Sequence, residues 1–113
     1  MNFSENKFTD PVDALIYQKG LRIYSVIPIK KLNLLIVVLN NSVIIKLNLN
    51  EFPLLAKANQ EQLNNYELKR GGISIRWDEL DEDLSLHGFI SNSLMKSFIN
   101  KFEKQSTEEI EIF

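Results

Sequence analysis

The stretch from Leu21 to Leu49 constrains the fold more than any other part of the chain. It alternates with a period of two through three successive segments rich in Ile, Val and Leu. That period puts neighbouring side chains on opposite faces of extended backbone, so three strands in a row are predicted. In the first, Leu21, Ile23 and Ile27 alternate with Arg22 and Tyr24. In the second, Leu32, Leu34, Ile36 and Val38 form one row and Leu35, Val37 and Leu39 the other. A strand apolar on both sides belongs in the middle of a sheet. In the third, Val43, Ile45, Leu47 and Leu49 share a face, with Lys46 and Asn48 opposite. Asn40 and Asn41 separate the second and third strands, and asparagine tolerates the left-handed backbone of a tight hairpin.

The flanks read as short helices and further strands. Asp10 can accept from the first free amides of a helix whose opening residue, Pro11, lacks an N–H to leave unsatisfied. Val12, Leu15 and Ile16 fall on one side of it, and Gly20 ends it. After the third strand, Asn50 is placed to cap a helix over 51–58, and Asn59 with Gln62 forms a capping-box pattern for a turn over 60–65. Tyr66–Lys69 and Ile73–Trp77 flank Arg70, Gly71 and Gly72 as two strands joined by a glycine turn. Ser91 is read as the cap of a C-terminal helix over 91–103, whose apolar stripe is Leu94, Met95, Phe98, Ile99 and Phe102. That stripe suits either a core or a partner helix. Residues 1–9 read as a loose arm and 104–113 as an acidic tail. The expected architecture is one α+β domain: an antiparallel sheet of about five strands, short helices on one face, and helical additions at both ends.

Bulk properties exclude several classes of function. A chain of 113 residues, 44% hydrophobic and 25% charged, has the make-up of a folded domain. With no cysteine, disulfides, thiolate zinc sites, iron–sulfur clusters and cysteine nucleophiles are ruled out, and one histidine rules out a multi-histidine metal site. Thirteen basic against fifteen acidic side chains give a formal charge of −2, which supplies no general attraction for nucleic acid. The longest nearly apolar run, Leu32 to Leu39, is far shorter than the roughly 20 residues of a membrane span. The polar start, with Glu5 and Asp10, lacks the basic-then-apolar pattern of a secretory signal, so a cytoplasmic location is expected.

The chemistry-bearing feature is the run RWDELDEDLSL, in which Asp78, Glu79, Asp81, Glu82 and Asp83 crowd six positions directly after Trp77, the sole tryptophan. A calcium loop starting at Glu79 would need glycine at its sixth position and glutamate at its twelfth, where Leu84 and Ile90 stand. Hydrated neighbours on a loop have nothing to hold one carboxyl protonated for acid–base work. A solvated loop that keeps a sheet edge soluble remains open. So does recognition, with carboxylates steering a basic partner and Trp77 as anchor, although Trp77 also continues the apolar row of Ile73 and Ile75. His87 before Gly88 has no partner in a triad pattern and reads as a turn or packing residue. Arg70–Gly72 is too short to cradle phosphate. No catalytic residue, metal ligand set or cofactor is assigned.

With those residues set out, LLIVVLNNSVIIKLNLNEFPLLAKA (34–58), EQLNNYEL (61–68) and GGISIRWDELDEDLSLHGFI (71–90) resemble the small bacterial domain-of-unknown-function family 2442. Trp77, Asp81, Asp83, Leu84 and Gly88 follow one another as in that family's late tryptophan and acidic stretch, and the resemblance spans about 21–90. It implies an antitoxin-like role, neutralising a small protein partner by direct binding; the surface expected from the residues themselves is Trp77, Asp78, Glu79, Asp81, Glu82 and Asp83. The competing expectations are a metal-assisted hydrolase or nuclease using the 78–83 carboxylates, and a structural protein that self-associates as a homo-oligomer.

Overall fold

The computed structural model of the protein describes residues 10–93. The N-terminal arm, the stripe from Leu94 to Phe102 and the acidic tail lie outside them. Asp10 caps α1 (Pro11–Asp13), its side chain accepting from the amides of Val12 and Asp13. The chain then continues as a π-helical turn, Ala14–Gln18. Gly20, at φ +76°, takes the left-handed conformation that ends the helix, and the Leu21 amide returns to the Leu15 carbonyl at 3.0 Å. Arg22 secures this end from outside, its Nη1 donating to the carbonyls of Ile16 at 2.6 Å and Leu21 at 2.7 Å.

The period-two region forms three antiparallel strands as expected: β1 (Ile23–Ile29), β2 (Leu34–Leu39) and β3 (Ile44–Asn48), with β2 in the centre. The predicted hairpin is present, Leu34 facing Asn48 and Val38 facing Ile44. Its left-handed residue, however, is Ser42 at φ 74°, not an asparagine. Asn41 instead accepts the Val43 amide on its side chain at 3.1 Å. Asn40 reaches across to β1, accepting from the Arg22 amide at 3.0 Å and donating to the Gly20 carbonyl at 3.1 Å. The register of β1 against β2 slips by one residue at Tyr24, a bulge that lets Ile23 and Val26 both face inward.

The expected single sheet of about five strands is corrected to two three-stranded antiparallel sheets. The second contains β4 (Glu67–Lys69), β5 (Ser74–Trp77) and β6 (Glu82–Ser85), in that order. The sixth strand lies inside the acidic run read as a loop. Between the sheets in sequence, the helix expected over 51–58 splits. Asn48 rather than Asn50 organises a 3₁₀ turn (Leu49–Glu51) by accepting the Asn50 amide. Then α2 (Pro53–Ala56) begins at the proline, where a missing N–H costs nothing. The capping box forms as read, Asn59 and Gln62 exchanging backbone bonds at the start of α3 (Gln60–Asn64). The last helix begins at residue 86, five positions before the predicted cap, because Ser85 rather than Ser91 accepts an amide there, that of Gly88 at 3.0 Å.

Both sheets and the helices contribute to one apolar cluster that includes Leu35, Val37, Leu47, Leu63, Ile75 and Phe89. Polar contacts also tie the sheets together. The Ile23 amide donates to the Gly72 carbonyl at 2.8 Å. The Tyr66 hydroxyl donates to the Val26 carbonyl at 3.1 Å and accepts from its amide at 3.3 Å. Among the described residues, no helix is long and apolar enough to cross a membrane.

Candidate functional site

The acidic run builds the β5–β6 hairpin. Trp77 faces Glu82 and Arg76 faces Asp83, leaving residues 78–81 to turn the chain. The Leu80 and Asp81 amides return to the Trp77 and Asp78 carbonyls, each at 3.2 Å, and Asp81 takes φ 52°. This backbone gathers three carboxylates around one cation. Arg76 donates through Nε to Asp78 at 2.8 Å, through Nη2 to Asp81 at 2.9 Å and through Nη1 to Asp83 at 2.7 Å. These charge-assisted bonds, that to Asp81 first and that to Asp78 next, push the guanidinium pKa still higher than usual. The place a divalent ion would take among the three carboxylates is therefore held by Arg76.

The other two carboxylates are also placed. Glu79 accepts from Gln62 Nε2 at 2.8 Å, tying the hairpin to α3, and Glu82 accepts the Asp83 amide at 3.0 Å. Asp78, Asp81 and Asp83 remain open to solvent, with side-chain exposures of 74%, 90% and 61% against 27% for Arg76. Three carboxylates around one guanidinium, with Glu79 and Glu82 held beside them, leave an anionic surface whose groups each have a partner. Trp77 is not part of that surface: it is fully buried, its indole N–H donating to the Leu63 carbonyl at 2.9 Å. It belongs to the core, as its place in the row of Ile73 and Ile75 had suggested, and cannot anchor a partner.

A second group of polar side chains joins the two ends of the described chain. Asp10 uses Oδ1 for the amides of α1 and presents Oδ2 to His87 Nε2 at 2.9 Å. Asp13, one turn on, brings Oδ1 to 3.7 Å from the same nitrogen. Ser91 Oγ lies 3.4 Å from His87 Nδ1. The bond to His87, with the amides of Asp13 and Val12, holds the Asp10 carboxyl below its usual range against a smaller opposing effect of burial. From the sequence, Asp10 is expected as a helix cap and His87 as a turn or packing residue. No local pattern could have joined them.

The outer face of the first sheet is also apolar. Ile27 and Ile44 are exposed on its flanking strands, and Tyr24, at the bulge, is 72% exposed. Lys46, opposite Ile36 on the central strand, is the charged exception.

The model of the family described as "Protein of unknown function (DUF2442)" matches residues 23–93, more than half of the chain. The chain belongs to the DUF2442 family. That match contains both sheets, the acidic hairpin and His87, and it begins after Asp10 and Asp13. The crystal structure of a protein of unknown function from Rhodospirillum rubrum is similar, with 26% identity and a TM-score of 0.57 over 65% of this chain and 88% of that one. The solution structure of an uncharacterized protein from Chromobacterium violaceum shares the fold of this DUF2442 chain. Its TM-score is 0.59 at 20% identity, over 80% of this chain and 79% of that one. No curated protein matches.

Proposed function

We propose that this DUF2442 chain is a non-enzymatic protein-binding domain, the antitoxin-like member of a bacterial toxin–antitoxin pair, which holds a small basic protein against its acidic hairpin. The observation that carries this reading is the three-way grip of Arg76 on Asp78, Asp81 and Asp83. Carboxylates already fixed in place lose little freedom when a partner's lysines and arginines approach, so charge is spent on orientation and association rate. The apolar outer face of the first sheet favours the same class of function, because exposed apolar patches on folded domains mark interaction surfaces.

The test is co-expression with a small basic protein encoded by an adjacent gene, followed by measurement of association kinetics. A complex is expected, and replacing Asp78, Glu79, Asp81, Glu82 and Asp83 by their amides should slow association roughly tenfold or more at low salt. Unchanged kinetics in that variant would remove the hairpin from the interface. Failure of any adjacent basic product to bind would remove the antitoxin-like reading.

A further inference from the structure

We infer that Asp10, Asp13 and His87 form a site for one divalent transition-metal ion of the zinc class. One ligand atom from each of the three residues lies within 4.8 Å of the others. Nε2 of His87 is 2.9 Å from Asp10 Oδ2 and 3.7 Å from Asp13 Oδ1. Ligands about 2.1 Å from a common ion are separated by roughly 3 to 3.4 Å at octahedral or tetrahedral angles, and by at most about 4.2 Å. The imidazole–carboxylate distances bracket that range, and the two carboxylate oxygens, within 4.8 Å of each other, have to stand within about 4.2 Å for both to bind, which rotation of the half-exposed Asp13 side chain can bring about.

Each ligand is held for the task by something other than the ion. Asp10 commits Oδ1 to the first amides of α1, which leaves Oδ2 as a single, directed donor. Asp13 stands three residues along the same helical turn and so presents its carboxylate on the same side. His87 enters from the last helix, and Ser91, one turn further on, brings a hydroxyl to 3.4 Å from Nδ1, where it can accept a hydrogen bond from that nitrogen once the ion holds Nε2. An outer oxygen that accepts from one ring nitrogen supports the tautomer in which the other nitrogen has a free lone pair. Without metal, the hydrogen bond between Nε2 and Asp10 needs a proton on the line joining them. The ion takes that place: a neutral ring passes the Nε2 proton through water to Nδ1, and a doubly protonated ring releases it to solvent.

The donor set selects the ion. Magnesium and calcium favour all-oxygen shells, whereas one imidazole with two carboxylates suits zinc and its first-row neighbours. Side-chain exposures of 40% to 47% leave a path in from solvent and room for water to fill the remaining coordination positions. The partial positive charge at the start of α1 opposes a cation, and two carboxylates outweigh it. A bound ion would link the first and last helices of the described chain, which only side chains now join.

The test uses the full chain, stripped with a chelator and dialysed, then titrated separately with zinc, manganese, magnesium and calcium chlorides while heat and thermal unfolding are recorded. One equivalent of zinc should bind and raise the melting temperature, with magnesium and calcium at least tenfold weaker. Asp13→Asn keeps both the cap and the Asp10–His87 bond, so its fold is secure, and it should weaken zinc binding at least tenfold. His87→Ala should abolish binding, and Ser91→Ala should weaken it roughly tenfold. No saturable heat with zinc would overturn the proposal. So would equal zinc affinity in the parent, Asp13→Asn and His87→Ala proteins, or magnesium binding as tight as zinc.

Discussion

The indole N–H of Trp77 donates to the backbone carbonyl of Leu63 at 2.9 Å, with both side chains fully buried. This bond fastens the second sheet to α3 and accounts for the carbonyl at the end of a helix too short to satisfy it internally. Trp77→Phe removes the donor and leaves a void. Unfolding in urea should show a loss of about 2–4 kcal/mol, with the slope of the transition unchanged.

Two neighbouring glycines should respond differently to the same methyl group. A Cβ on Gly72 would lie 2.5 Å from the Ile23 carbonyl oxygen at φ +112°, whereas one on Gly71 meets nothing within 4 Å at φ +70°. Gly71→Ala should cost about 1 kcal/mol of backbone strain, and Gly72→Ala about 3 kcal/mol or more, because the junction between the sheets must open. Thermal denaturation of the two variants side by side checks the ordering.

Asn59 and Gln62 exchange backbone hydrogen bonds at the start of α3, and Gln62 also holds Glu79. Asn59→Ala should lower stability by about 1 kcal/mol, and Asn59→Gly by only a few tenths. Gln62→Ala should in addition speed amide exchange in residues 78–81, a change that Asn59→Gly should not produce.

Arg76 stands among like charges, so removing it should reverse the response to salt. In the parent protein salt screens attractive pairs, and added sodium chloride should leave the melting temperature unchanged or slightly lower. In Arg76→Met the carboxylates of Asp78, Asp81 and Asp83 repel one another without a counterion, so the melting temperature should fall at low salt and recover as salt rises. Melting curves at several sodium chloride concentrations decide it, and parallel salt dependences would contradict the three-way grip.

Much of the first sheet was legible because its signal is local. Alternation from Leu21 to Leu49 gave three strands and the central place of β2, and Asn59 with Gln62 marked a helix start that formed as read. The second sheet was half visible. The β4–β5 hairpin announced itself through glycine, but β6 carries Glu82 and Asp83 and offers only Leu84 to the interior row. Its partner is what makes it a strand, since Arg76 across the ladder holds Asp83. The last helix begins earlier than expected from Ser91 because β6 delivers the chain to Ser85, whose hydroxyl accepts the Gly88 amide. The pairing of Asp10 with His87 had no local signature, as it spans 77 positions.

That same pairing bends the described polypeptide almost into a ring. A permuted form of the described residues, opened at some other turn, would need a bridge from residue 93 back to Asp10 that covers little more than the roughly 9 Å by which the last helix runs on past His87.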